Sequence, residues 1–537
     1  MIRTIIIRLG KCALTESIEF MKKILLLLLI IQGVHLHGAT LNPIFTSEMV
    51  LQRDAKVRIY GEGADGEQIT IVFKGQSRSA KVEKGAWEVF LDPMKADSKG
   101  TEMILSSASG TNRLNGILVG DVWVLGGQSN MYRGFNAFPP LKDSLEKMNE
   151  PMIRIFFVDP NVKKSDERTT RFKTRSGMGW TAAVYTADEK TREFLKGLSP
   201  AGYFFATNLA KGKQVPVGLI MACLGSTSAQ DWTPHEVLQN NPALRKYLAD
   251  DEAIKPNAKR PYMAHTSWLY NGVVYPITRF TIKGVLWYQG ESNAKDAENY
   301  RILFPEMIKA WRRDWGQGDF PFIFAQLASY DGVGWDKLSW SWAILRESQS
   351  AALSLPNTGM ITLIDAGEAG DIHPATKPTA GYRFYMKARQ VAYGEDIISS
   401  GPVFSSAKKE GDALRITFKN VGEGLVMRQV SMPKNKTSRD ESKNDPVIWL
   451  RSPADQLVGF TICGADQKFV PAQAEIVSKD SVLVRSPDVS NPVAVRYAWA
   501  NFSLANLYNQ EGFPTEPFRT DKFDLPPPEA FFPKKAR

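Results

Sequence analysis

Cysteine and histidine are scarce in this chain: three Cys and five His among 537 residues. So few thiols exclude a scaffold built on disulfides. Beyond residue 38 no apolar run approaches the roughly 18 residues a membrane-spanning helix needs, which leaves no stable membrane insertion for a mature chain. A concentrated charge of one sign is missing too. The formal net charge is +10, but the basic residues are dispersed, and a stretch such as Lys434 to Lys443 also carries acids. It reads as a solvated loop, and the nucleic-acid footprint of a clustered basic face is not there. Hydrophobic residues at 43% and charged residues at 23% are those of an ordinary globular protein, with generous aromatics, 13 Trp and 16 Tyr.

The longest apolar run is near the start. Met21-Lys22-Lys23 precedes Ile24 to Ile31, and a softer stretch reaches Gly38 and Ala39. A basic start, a short apolar run and small residues after it are those of a secretory signal peptide, with cleavage expected near Gly38. The residues before Met21 read as an upstream extension. No Cys sits at the cut, against a lipid-anchored form, and a secreted or periplasmic location is expected. Loss of residues 1 to 38 removes five Lys or Arg and two Glu, leaving about +7.

At this length two or three domains are expected. From Asn42 to Leu118 short alternating bursts (Lys56 to Tyr60, Gln68 to Phe73, Trp87 to Leu91) are separated by turn residues, which predicts a small β-sandwich over 39–118. After Gly120 continuous apolar runs take over: Val122 to Leu125, Ile153 to Val158, Val215 to Ala222, Val285 to Tyr288, Phe320 to Leu327 and Met360 to Ile364. Helix-like stretches separate them, among them Pro200 to Lys211, Ala297 to Trp315, Trp342 to Leu353 and Ala375 to Val391. Such alternation predicts an α/β domain over 119–398 with a mostly parallel sheet covered on both faces, and function at the carboxyl ends of its strands. Beyond 399 strands return (Leu414 to Phe418, Val482 to Arg485, Val493 to Trp499), giving a C-terminal β region with a loop inserted over Pro433 to Pro446.

His35 and His37 leave with the signal, so a histidine base must be His235, His265 or His373. Only His373 has an acid within two positions, in Gly370-Asp371-Ile372-His373-Pro374. Gly126-Gly127-Gln128-Ser129-Asn130-Met131 directly follows the strand ending at Leu125. A Ser beside Gly at a strand-to-helix junction stands exposed next to backbone N–H groups, as a nucleophile needs, although Ser also suits a helix N-cap. Two further strand ends deliver Leu224-Gly225-Ser226-Thr227 and Gln289-Gly290-Glu291-Ser292-Asn293. A Gly N–H and an Asn carboxamide beside Ser129 are the donors a tetrahedral oxyanion needs. Each segment alone is also an ordinary turn.

Gly-Gln-Ser-Asn-Met, Gly-Glu-Ser-Asn and Asp-Ile-His-Pro, in this order, resemble the sialate O-acetylesterase family of the SGNH (GDSL-like) hydrolases. The likeness extends to Met49-Val50-Leu51-Gln52-Arg53, Val119-Gly120-Asp121-Val122-Trp123, Gly202-Tyr203-Phe204-Phe205-Ala206, Tyr270-Asn271-Gly272, Arg346-Glu347 with Gln349, Val495-Arg496-Tyr497-Ala498-Trp499 and Pro517-Phe518-Arg519-Thr520-Asp521. It implies a three-layer α/β/α hydrolase domain between β regions, an O-acetylated carbohydrate as substrate, and no metal or organic cofactor. It also implies Ser129 as nucleophile, His373 as base, Asp371 as the acid that orients it, and an oxyanion hole of the Ser129 and Gly225 N–H groups with the Asn293 amide. Gln128, Arg133, Gln289 and Glu291 are the candidate substrate contacts; Arg133 would meet the carboxylate of a sialic acid.

The chain departs from the pattern twice. The wider superfamily places its acid three residues before the His, where Gly370 stands here, so Asp365 and Glu368 are alternatives to Asp371. Relatives often carry Gly-Gly-Thr where this chain has Gly225-Ser226-Thr227. The expected activity is deacetylation of sialic acids, with acetylated xylan as the alternative substrate. A carbohydrate-binding protein with an inactive hydrolase core, and thioester or peptide hydrolysis, are the readings of other classes.

Overall fold

The computed structural model describes residues 39–160, 167–170, 172–253, 265–332, 340–435 and 447–525. The signal-peptide reading, the upstream extension, and most of the loop expected between Pro433 and Pro446 lie outside the described residues.

The described residues divide into two compact units, the first comprising 39–42, Ile59–Val89 and Ile104–Arg113 and the second the rest of them. In the first, the strands Gln68–Phe73 and Gln76–Lys81 form an antiparallel hairpin. Its turn is Lys74-Gly75, both at positive φ (+47° and +75°), the primed turn that matches the right-handed twist of paired strands. Side chains alternate as a half-buried sheet requires, with Ile69, Ile71 and Phe73 inside.

The second unit is built on a seven-stranded sheet. Its strands are β1 (Gly110–Gly127, in this unit from Leu114 onward), β2 (Asn149–Phe157), β3 (Thr181–Val184), β4 (Val217–Cys223), β5 (Gly284–Tyr288), β6 (Phe322–Ala325) and β7 (Thr358–Ile361). The order is β3-β2-β4-β1-β5-β6-β7. Every pairing is parallel except that of the edge strand β3 with β2. Strands β4 and β5 are buried throughout and β1 is buried from Ile117 to Gly127, nearly all of it apolar, as strands covered on both faces must be.

Side-chain alternation along β1 shows the two cover layers. Leu125 packs on Gly202 of helix α1 (Pro200–Lys213), and Trp123, two residues earlier on the same face, meets Phe205 of α1 edge-on at 5.1 Å. Gly126 faces the other way, against Trp287 of β5 and Trp311 of helix α2 (Tyr300–Trp315), whose rings meet edge-on at 5.7 Å. Helix α3 (Ser341–Ser350) packs with α2, and helix α4 (Lys377–Tyr393) with α1. The result is the expected mostly parallel three-layer α/β/α arrangement.

Beyond Gly401 the strands Val403–Glu410, Ala413–Lys419, Ser481–Arg485 and Gln473–Ser478 form an antiparallel sheet in that spatial order. Ile416, Val482 and Val484 from this sheet join Ile462, Val495, Tyr497 and Leu507 in one apolar cluster, which also takes in Ile364 from the chain just after β7. Among the described residues no helix is long and apolar enough to cross a membrane. Cys223 and Cys463 are buried and free.

Candidate active site

Four chain segments meet at the carboxyl edge of the sheet, on either side of β1. That is where strand order reverses: the chain runs from β1 to β2 and β4 on one flank, then crosses to β5, β6 and β7 on the other.

The turn after β1 is shaped by Gly127. Its φ is +120°, and a Cβ there would sit 2.3 Å from the Tyr288 carbonyl oxygen, so only glycine lets β5 approach this closely. The Gln128 N–H then donates to that same carbonyl at 3.0 Å, and the chain enters a one-turn helix, Ser129–Tyr132. Gln128 occupies the N-cap, so the Ser129 hydroxyl is not a cap. It lies 2.9 Å from His373 Nε2.

His373 alone of the three candidate histidines reaches Ser129. His235 begins a surface helix, and His265 stacks on Trp268 at 3.8 Å between ring centroids. Asp371 Oδ1 accepts the His373 backbone N–H at 3.0 Å and stands 3.4 Å from Nδ1. One carboxylate therefore fixes both the loop and the side of the imidazole remote from Ser129. The two alternative acids are occupied elsewhere. Asp365 is paired with Nη1 and Nη2 of Arg383 (2.6 and 2.7 Å) and with the Tyr508 hydroxyl (2.8 Å), while Glu368 accepts the Ala375 N–H at 2.8 Å. Burial is the largest influence on His373 and lowers its pKa below the ordinary 6.5; Arg133 and Lys377 lower it further, and Asp371 opposes them. Neutral imidazole, the form able to take a proton, is thereby favoured.

Gly225 follows β4 and lies against the serine: a Cβ in its place would be 3.5 Å from Ser129 Cβ. Ser226 after it has φ +62°, a left-handed conformation that glycine adopts without cost and serine does not. Asn293, 3% exposed, is held by its carboxamide: Oδ1 accepts from the Ala229 N–H (2.9 Å) and Gln289 Nε2 (2.7 Å), and Nδ2 donates one hydrogen to Gln230 Oε1 (2.9 Å). The second Nδ2 hydrogen is what remains for an oxyanion.

Three of the four expected substrate contacts need correction. Gln128 is 3% exposed, and its Oε1 accepts the N–H groups of Gly290 (3.4 Å) and Ser292 (3.2 Å). Gln289 is fully buried: Nε2 donates to the Thr227 carbonyl and Asn293, and Oε1 accepts from the Tyr300 hydroxyl. Glu291 accepts from Asn130 Nδ2, with its other oxygen buried. All three bind the loops to each other, since their polar ends turn inward. Arg133 is only partly buried and close enough to His373 to lower its pKa.

Residues outside the motif loops complete the scaffold. Arg346 of α3, fully buried, donates to the carbonyls of Leu327, Ala328, Ala500 and Asn501. Gln349 accepts the Leu327 N–H and donates to the Gln289 and Ala325 carbonyls. Their signal in the sequence was the Arg346-Glu347 and Gln349 pattern; Gln230 and Lys377 carried none that stood out. Among the described residues no group of three or more His, Cys, Asp or Glu is placed to hold a metal ion.

A strand-end serine in contact with an imidazole, on a doubly wound sheet between two helical layers, is the arrangement of a serine-type hydrolase. The family model described as carbohydrate esterase, sialic acid-specific acetylesterase matches residues 119–381. The chain is 33% identical to a carbohydrate acetylesterase from Xanthomonas citri of known crystal structure, with a TM-score of 0.75, covering 90% of this chain and 100% of that one. It is 28% identical to the sialate O-acetylesterase of Mus musculus, over 88% of this chain and 92% of the relative, and 26% identical to that of Homo sapiens, over 88% and 90%. The chain belongs to the sialic acid-specific acetylesterase family of carbohydrate esterases and is a serine-type esterase.

Proposed function

We propose that the chain removes O-acetyl groups from sialic acids, 9-O-acetyl groups foremost, with Ser129, His373 and Asp371 as its catalytic residues. The observation that carries the reading is the 2.9 Å contact between Ser129 Oγ and His373 Nε2. Ser129 Oγ attacks the acetyl carbonyl while Nε2 takes its proton. The negative oxygen is met by the N–H groups of Ser129 and Gly225 and by Asn293 Nδ2. The tetrahedral species collapses as the imidazolium protonates the departing sugar hydroxyl, leaving acetyl-Ser129. Water, deprotonated by His373, then attacks that ester and releases acetate. Asp371 holds the imidazole from the Nδ1 side, and its 3.4 Å separation shortens as positive charge develops on the ring.

Arg133, beside this site, is the group suited to a sugar carboxylate. The family and the named mammalian relatives support a sialic acid substrate. The Xanthomonas citri relative, a carbohydrate acetylesterase, leaves another acetylated carbohydrate such as xylan as the second reading. The basic and apolar segment from Met21 supports secretion or a periplasmic location.

Acetate release from 9-O-acetylated sialic acid and from acetylated xylan decides between the two. The sialic acid reading expects the former to have the higher kcat/KM, and expects Arg133→Ala to raise KM for it while leaving KM for 4-nitrophenyl acetate unchanged. Preference for xylan overturns it. In either case the acid limb of kcat/KM lies below pH 6.5, because protonation of His373, whose pKa is depressed, removes the base.

A further inference from the structure

Under the nucleophile turn lies a buried charge network that the acyl-transfer chemistry itself does not require. Asn130, next to Ser129 and 2% exposed, faces two ways. Its Oδ1 accepts from Lys377 Nζ at 2.5 Å. Its Nδ2 donates to Glu291 Oε1 and, at 3.0 Å, to the carbonyl of Ile372, the residue before His373. One carboxamide thus joins the nucleophile turn, the histidine loop, the loop that carries Asn293 and the start of α4.

Lys377 is an unusual residue for its place. It is 1% exposed, with Nζ 5.1 Å from the Phe138 ring centre and 5.2 Å from that of Tyr288. It also stands in the first turn of α4, where the helix dipole disfavours a cation. Helix stability and core packing would both favour an apolar side chain here. The charged groups around it are Glu291, Glu368, Asp371 and Arg133, with His373 near enough to feel its charge. Burial lowers its pKa to about 7 against the pull of the three acids, and burial likewise raises that of Glu291 against Asn130 and Lys377. Each charge is therefore kept in the interior by the other, with Asn130 between them.

We propose that Lys377, Asn130 and Glu291 form a buried clamp that positions the Ser129 turn against the His373 loop, with Lys377 and Glu291 as positioning residues for the reaction. The proposal rests on the assignment of Ser129 and His373 as nucleophile and base. The clamp acts at two points: it sets the distance between hydroxyl and imidazole, and its cation favours the unprotonated ring.

The test is kcat, KM and the pH profile of kcat/KM on 4-nitrophenyl acetate for wild type, Lys377→Met, Glu291→Gln and the double variant. Each single variant is expected to lose about tenfold to hundredfold in kcat, with KM within about twofold, because small displacements of reacting groups have effects of this size. The double variant, with neither charge left alone, is expected to exceed both singles in kcat. Lys377→Met and the double variant are both expected to show an acid limb at higher pH than wild type. A purely structural pair would lower thermal stability while leaving kcat of the folded enzyme and the acid limb in place, and that result overturns the proposal. Should Lys377→Met fail to fold, Glu291→Gln and the double variant decide by the same criteria. Failure of the clamp is separable from failure of the catalytic assignment: wild-type kinetics in these variants, with Ser129→Ala inactive, removes the clamp alone.

Discussion

The stretch of β1 that pairs with β4, Asp121 to Gly127, carries polar side chains of opposite character at its two ends. At the start, Asp121 is fully buried and receives four hydrogen bonds: from Arg53 Nε and Nη2 at 3.0 Å each, from Gln52 Nε2 at 3.2 Å and from the Tyr393 hydroxyl at 2.8 Å. Just past the other end, the Ser129 hydroxyl touches the imidazole of His373, whose other ring nitrogen is only loosely engaged by Asp371 at 3.4 Å. One strand thus carries an anchored carboxylate and a reactive hydroxyl. A saturated polar group holds structure and resists chemistry, whereas a group left with capacity can exchange a proton.

Substitutions at both ends sharpen this contrast. Apart from loss of the nucleophile itself, the largest effect on kcat is expected at the reactive end: Asn293→Ala should lower kcat of the folded enzyme by 10² to 10³, the usual consequence of losing one oxyanion donor, and should also lower the melting temperature because three hydrogen bonds of its buried carboxamide are lost. Unchanged kcat would remove Asn293 from the hole. At the anchored end, Arg53→Met should destabilise by about 3 kcal/mol in a denaturant titration, the low end for breaking a buried pair because Arg53 is itself partly exposed. The folded fraction should keep its kcat, and a fall in kcat at constant stability would break the division between the ends. The smallest effect belongs to the loop after β4. Ser226→Gly relieves the left-handed strain at φ +62°, and should change stability by less than about 1 kcal/mol while leaving kcat within twofold. A large loss of kcat would mean that the Ser226 side chain, not the backbone before it, serves the site.

The parallel sheet, its helices and the Ser129–His373 pair were legible because each depends on local pattern: apolar runs of strand length, helical spacing, and glycines beside a serine. The roles of several motif residues were not, because direction in space decides them. Gln128, Gln289 and Glu291 flank the reactive groups in sequence, yet their polar ends turn into the loops. Asp371 could be weighed as the orienting acid, but not that its carboxylate also takes the His373 N–H; a residue two positions earlier is well placed for such an Asx-type bond. The motifs far from the site have plain structural partners. Gln52 and Arg53 hold Asp121. Arg519 pairs with Glu347 at 2.9 Å, and Arg496 with Asp521 at 2.8 Å. Motif residues in this chain therefore mark long-range pairings as well as chemistry.

The most direct test is 4-nitrophenyl acetate hydrolysis by wild type and Ser129→Ala, with the quenched wild-type enzyme searched by mass spectrometry for an acetyl group. The account predicts an acetyl adduct on Ser129 and a loss of at least about 10⁴-fold in kcat for a folded variant. Equal rates in the two proteins, or an adduct on another residue, would contradict it.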